Sequence, residues 1–385
     1  MSTQLKHPGS QPTGSSGPAK PRKRRTLRNV LLVFLAVAIL IPASVGAYLF
    51  SLGQIYDSKT TTIDNPFPPE STRPQRQGAG AVPGEAGGAT GSGPDAAPGA
   101  GAAEGSRNAG AGGALNILVM GSDSRGATTE EAVSGGNSNQ RADTLMLVHI
   151  PADRSNVYSI SLMRDLWVDI PGNGQAKINA ALAYGGVPLM VQTVESLFNQ
   201  RIDHVAMIDF EGFVGMTDAL GGVEVNITQP FKSPHSGRSY TKGPAVLDGG
   251  KALDFVRERY AYADGDYQRV RNQQAFLQAL IAKNLSRETL LNPVKVHNVI
   301  SSMAPYVAVD SGLDAATLAR LGLELRDVRG EDMKMFTLPT LGTGTSADGQ
   351  SIVLPDYSSI AGISAALADD SLDKFVASKG LAGGN

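Results

Sequence analysis

No cysteine occurs among the 385 residues. That absence excludes a disulfide scaffold, a thiolate metal site and a cysteine nucleophile together. Net charge is nearly absent too, with 34 Lys and Arg against 36 Asp and Glu. So even a balance gives no reason to expect a nucleic-acid partner. Other absences are local. Residues 1–29 contain no Asp or Glu yet hold seven Lys or Arg, and residues 30–51 carry no charge at all. Taking those seven from the 34 leaves 27 basic side chains against 36 acidic ones, or −9, for the rest of the chain. Several catalytic signatures are missing as well: no G-x-x-x-x-G-K-[ST] phosphate loop, no H-E-x-x-H and no G-x-S-x-G elbow. Ser371-Leu372-Asp373-Lys374 fits S-x-x-K, but no S-D-N or K-T-G accompanies it and it falls on a C-terminal helical pattern. The Gly342–Gly349 stretch opens no clear helix and reads as an ordinary loop.

What is present divides the chain into parts. Val30–Phe50 is an uncharged apolar run of 21 residues, long enough at ~1.5 Å per residue to cross a bilayer as a helix. The basic cluster Arg22–Arg25 with Arg28 precedes it, which orients residues 1–29 toward the cytoplasm and the remainder outside. A cleaved signal peptide is the competing reading, but its best cleavage site, Ala36-Val37-Ala38, falls inside the run. Residues 52–113 read as a disordered tether. Between Gly78 and Gly113, 13 of 36 residues are Gly and most others Ala, Pro or Ser, too little apolar surface to offset ordering entropy.

Residues 114–385 have the composition of one α/β domain with helices on both faces of a sheet. Leu115–Gly121, Thr144–Ile150, Val157–Leu162, Leu166–Ile170, His204–Ile208 and Val223–Ile227 read as strands. Ile178–Asn199 has helical spacing broken at Gly185-Gly186, Gly212–Ala219 reads as a short helix, and Tyr267–Leu285 as a long one. Ala252–Arg259 is expected as a strand, so that Arg257 and Arg259 share a face.

Charged residues gather at the ends of these elements. Asp123 and Arg125 follow the first strand, and Arg141 and Asp143 precede the second; in open α/β sheets ligands bind at strand carboxyl ends. Two hard carboxylates at one site suit Mg²⁺ with substrate phosphates, although a helix cap at Asp123 and a turn at Asp143 are the plainer alternatives. Arg164 follows the strand at Leu162, while Arg269 and Gln273 stand at i and i+4 on the long helix. Convergent arginines in an acidic domain suit a bound phosphate; salt bridges to Asp165, Glu258 and Asp266 would also account for them.

The ordered segments NILVMGSDSR, RADTLMLVHI, SISLMRDLWVDIPG, KINAALAYGG, IDHVAMIDFEGFVGMTDALGGVEV, LDGGKALDFVRERY and DYQRVRNQQAFLQALIAKN resemble the LytR–CpsA–Psr (LCP) family across Leu115–Asn284. The resemblance implies a three-layer αβα domain with a central mixed sheet, set behind one transmembrane helix and a linker. It implies a Mg²⁺-dependent phosphotransferase that moves a cell-wall glycopolymer from a polyprenyl-pyrophosphate carrier onto the C6 hydroxyl of muramic acid in peptidoglycan. A hydrolase using water at the same site, or a non-catalytic lipid- or glycan-binding module, is the alternative. By the same resemblance Asp123 and Asp143 bind metal, and Arg164, Arg257, Arg259, Arg269 and Gln273 hold the pyrophosphate. Arg125 and Arg141 support them. Met163 stands where family members often carry proline.

Overall fold

The computed structural model describes residues 47, 48, 50–75, 113–123, 141–284 and 292–381. The expected membrane span lies outside the described residues except for its last positions, and so does the Gly-rich part of the expected tether. Among the described residues no helix is long and apolar enough to cross a membrane. The chain divides into two units, Met1–Ser51 and Leu52–Asn385, and the second contains a large sheet.

Seven strands build that sheet: β1 (Thr61–Ile63), β2 (Leu115–Asp123), β3 (Arg141–Ile150), β4 (Val157–Leu162), β5 (His204–Asp209), β6 (Ala308–Asp310) and β7 (Met333–Thr337). Their order is β1-β6-β5-β2-β3-β4-β7. Strand pairs β1·β6, β5·β2 and β4·β7 are parallel, whereas β6·β5, β2·β3 and β3·β4 are antiparallel. The sheet is mixed, and its central strands are long apolar runs because both faces are covered.

Strand parity shows how. Leu118 and Met120 on β2, with Leu145 and Leu147 on β3, pack into one cluster with Ala181, Met190 and Val194 of α1 (Ala180–Phe198). The opposite face, with Leu115 and Ile117, packs on Leu321 and Leu325 at the helix Ala315–Glu324. A third cluster joins α2 (Phe210–Ala219), α3 (Gly249–Arg257) and α4 (Asp266–Asn284) through Met216, Phe255, Phe276 and Leu280. Helix α1 is broken where the glycine pair stands, Gly186 having φ 64°, a backbone state that favours glycine.

Two expectations are corrected. Ala252–Arg259 is not a strand: residues Gly249–Arg257 form α3, opened by Asp248, whose side chain accepts from the Lys251 amide at 2.9 Å. A capping aspartate and a carbonyl ladder outweigh the alternating pattern there. The tether does not begin at residue 52, because residues 52–75 belong to the folded unit. Ile63 is buried beside β6, and Arg73 pairs at 2.6 Å with the buried Glu195 of α1.

Candidate functional site

The site forms where β2 and β4 end, β3 begins and α3 hands over to α4. Opposite Gly121 and Ser122 the ladder slips: Gly121 pairs with Thr144 and Ser122 with Ala142. Asp143 is therefore the extra residue of a β-bulge, a feature that re-aims a side chain. Close approach is built in at Gly121, where a Cβ would lie 2.9 Å from that of Thr144. Arg164 sits in the turn after β4, closed by the Leu166 amide donating to the Met163 carbonyl at 3.0 Å. The turn closes with Met163 in place of the family's frequent proline, and the Met163 side chain is buried in the core.

Arg257 ends α3, and its guanidinium stacks 4.4 Å over the Phe210 ring. Arg259 follows in the irregular stretch, donates to Tyr260 Oη at 2.6 Å and lies 4.6 Å over that ring. Arg269 stands one turn into α4, with Gln273 a turn beyond, donating to the Val256 carbonyl at 3.3 Å. Together with Asp143 and Arg164, these side chains line one pocket of about 200 Å³. The shared strand face predicted for Arg257 and Arg259 is replaced by a helix end, yet both still reach the same pocket.

One carboxylate organises the cluster. Asp266, the first residue of α4, meets Arg269 Nη1 at 3.1 Å, Arg259 Nη1 at 3.4 Å and Arg164 Nε at 3.8 Å. Arg164 in turn donates to Asp143 at 2.6 Å. In the sequence Asp266 and Asp165 stand out only as salt-bridge partners, and Lys177 and Tyr260 not at all. No spacing rule joins Arg164 to a residue on a distant helix. The i, i+3 relation of Asp266 to Arg269 is the one local signal available.

The electrostatics follow from burial. Burial opposes the charge on Asp266, but Arg269 and Arg164 outweigh it and hold the carboxyl below its ordinary range. Burial also works against Arg164, whose pKa the neighbouring Asp143, Asp266 and Asp165 nevertheless raise. Arg269 goes the other way: burial and the nearby Arg164 lower it, though a guanidinium stays protonated. Its side chain is only 4% exposed, and Nε and Nη2 have no hydrogen-bond partner. Two buried donors left open on a charged group fit an anion, whose oxygens would satisfy them.

The remaining site residues are placed unequally. Asp123 and Arg141 face each other in backbone register at the end of the β2·β3 ladder, where the structure describes only their backbone. Arg125 lies outside the described residues. Among the described residues no group of three His, Asp or Glu side chains is arranged to hold a metal ion.

Residues 97–369 match the LytR_cpsA_psr family model. The chain is 39% identical over 216 residues to the probable cell wall biosynthesis protein LcpB of Corynebacterium glutamicum, covering 55% of this chain and 52% of that one. It is 30% identical over 284 residues to LcpA of the same organism, covering 64% and 54%. A polyisoprenyl-teichoic acid–peptidoglycan teichoic acid transferase, TagU of Enterococcus faecalis, is 33% identical over 55% of this chain and 67% of its own length. The chain thus spans about half the length of the two corynebacterial relatives. Among solved structures, TagV of B. subtilis shares the fold with a TM-score of 0.57 at 24% identity, over 68% of this chain and 98% of that one. TagT bound to LI-WTA aligns with a TM-score of 0.53 at 25% identity, over 67% and 90%. With the family model covering most of the folded unit and the mixed sheet in common, the chain belongs to the LytR–CpsA–Psr family.

Proposed function

We propose that this chain transfers a cell-wall glycopolymer from a polyprenyl-pyrophosphate carrier onto a hydroxyl of peptidoglycan. The reading rests on one observation above all: four arginines line a single small pocket, and the most buried, Arg269, keeps two donors open. The transferase and cell-wall names of the relatives support it. In this reading the acceptor hydroxyl oxygen bonds to the glycan-side phosphorus. The bond from that phosphorus to the bridging oxygen breaks, polyprenyl phosphate leaves, and the hydroxyl proton passes to a nearby carboxylate. Arg164, Arg257, Arg259 and Arg269 bind the two phosphates and meet the charge that grows on the leaving oxygen. Gln273 is the neutral donor of the set.

Asp143 on its bulge, which lines the pocket, would hold Mg²⁺ together with Asp123 of the adjoining strand, since hard carboxylate oxygens are the ligands that ion takes. Bound there, Mg²⁺ would supply additional charge neutralisation. The uncharged run of residues 30–51, behind a basic segment, supports an anchor in the membrane with residues 1–29 cytoplasmic and the site on the outer side.

Substituting Arg269→Ala tests the proposal. Loss of one desolvated donor to a charged transition state is expected to slow transfer by roughly 100- to 1000-fold. Transfer is read as radiolabelled glycan retained on insoluble peptidoglycan. Undiminished transfer by a variant with an unchanged circular dichroism spectrum would remove the site. Release of free glycan phosphate without acceptor would identify water as the true nucleophile.

A further inference from the structure

Helix α3 ends without the usual closing device. Its last residue, Arg257, is followed by Glu258 in an extended conformation, φ −65° and ψ 128°. No left-handed residue turns the chain back to meet the final carbonyls. Two of those carbonyls accept from α4 instead. Asn272 Nδ2 donates to the Phe255 carbonyl at 3.0 Å, and Gln273 Nε2 to that of Val256 at 3.3 Å. Asn272 is only 3% exposed, and the phosphotransfer reading gives it no task.

Asn272 is itself aimed by a chain of polar contacts that can run in one direction only. Arg271 carries donors and no acceptor. It pairs with Asp264, and its Nε and Nη2 donate to Gln268 Oε1 at 3.0 and 2.7 Å. With that oxygen committed to Arg271, Gln268 turns Nε2 toward Asn272 Oδ1, to which it donates at 2.9 Å. Asn272, its own oxygen engaged, must present its NH2 group to the Phe255 carbonyl. Gln268 and Asn272 are both buried, and a buried network whose donors and acceptors match specifies one arrangement. What it fixes here is the last turn of α3. That turn carries Arg257, whose guanidinium also rests on the Phe210 ring.

We infer that Asn272 is a positioning residue for Arg257, its amide aimed by Gln268 and Arg271, so that the end of α3 presents the guanidinium to the phosphates in one orientation. The inference rests on the phosphotransfer reading and adds to it residues that touch no substrate. In that reading Arg257 meets charge growing on the leaving oxygen, while Arg164, Arg259 and Arg269 share the grip on the bound phosphates. A displaced α3 end therefore weakens the transition state more than the ground state, and the loss falls on kcat rather than on KM.

Two neutral substitutions of similar size test this in the full-length protein. Asn272→Leu removes the contact with Phe255, whereas Gln268→Met keeps that contact and removes its aim. Transfer of radiolabelled glycan to insoluble peptidoglycan is followed against carrier concentration at one temperature, and the melting temperature of each variant is recorded. We expect kcat to fall about tenfold in Asn272→Leu and about threefold in Gln268→Met, with KM for the carrier within about twofold of the wild type's. Each substitution is then combined with Arg257→Ala. Without Arg257 there is nothing left to position, so the added substitution is expected to lower kcat by less than about twofold, a coupling that a role in folding alone would not produce. Effects that add in full overturn the inference and leave the arginine site intact. So does a wild-type kcat in both single variants, or a raised KM with kcat unchanged. Single variants that melt below the assay temperature overturn it as well, since the network then serves only the fold. Transfer by Arg257→Ala at the wild-type rate overturns both the inference and the part of Arg257 in the phosphotransfer reading.

Discussion

Asp266 holds together charges that would otherwise repel. Three guanidinium groups approach its carboxylate within 3.1 to 3.8 Å, and the innermost, Arg269, is almost wholly removed from water. Replacing Asp266 with Ala leaves that cluster without its shared counter-charge, and breaking a buried pair in this way costs about 3–5 kcal/mol. A bound anion can take over part of the lost role. Pyrophosphate is therefore expected to raise the melting temperature of Asp266→Ala by more than it raises that of the wild type, by the linkage of ligand to native state. Equal shifts would show that Asp266 is not the counter-ion. Much of this cluster is legible in the sequence, since Arg257, Arg259, Arg269 and Gln273 stand out by short spacings and by resemblance. The central place of Asp266 is not, because it depends on a contact with Arg164, which sits on a turn far away in the chain.

At the scale of elements, α3 and residues 52–75 depart from their local sequence pattern for different physical reasons. α3 has the pattern of a strand because Phe255, Arg257 and Arg259 alternate, and that alternation continues past the true helix end at Arg257. The signals that decide it are Asp248 as cap and the basic residue in the last turn, both favourable to a helix. Residues 52–75 resemble tether because few of them are apolar and Pro66, Pro68 and Pro69 lie among them. They join the fold through a few strong contacts that composition does not reveal. Ile63 pairs into the sheet, and Arg73 reaches α1 to meet Glu195, itself only 1% exposed and also accepting from the Ile202 amide at 2.9 Å. Arg73→Ala would leave that carboxylate buried and unpaired, at a cost of about 3–5 kcal/mol. Urea unfolding followed by tryptophan fluorescence would report it as a lower midpoint with the slope unchanged. A midpoint equal to the wild type's would mean that residues 61–75 only rest on the surface. The double substitution Arg73→Met with Glu195→Leu, which removes both charges, should recover most of the loss.

For the whole molecule, paired carboxylates set the response to acid. The His149 ring, with Nε2 3.3 Å from the carboxylate, depresses Asp370, and the Ala152 amide, donating to it at 3.0 Å, adds to this. Burial opposes ionisation of Asp254, but hydrogen bonds from Ser236 and Tyr240 prevail and lower it. Asp266 is depressed in the site, where arginines overcome burial. A carboxylate whose folded pKa lies below its unfolded value of ~3.9 stabilises the fold above that value, and the contribution disappears as pH falls toward the folded pKa. Stability is accordingly expected to be flat from neutrality down to about pH 5 and to fall steeply below about pH 4. The alkaline limit has a different origin and the opposite sign. Burial pushes Tyr56 and Tyr158 up to about 12, which favours the neutral phenol in the fold, so stability is lost as pH rises from the ordinary value of ~10 toward 12. Asp370→Asn separates the acid contributions, because Asp370 lies on a different segment from the arginine cluster. In that variant the acid limb of a plot of melting temperature against pH should be shallower, with pyrophosphate binding unchanged. An acid limb identical to the wild type's would shift the burden to Asp254 and Asp266. In that case acid would unfold the protein by first dismantling its phosphate site, and pyrophosphate would protect against it.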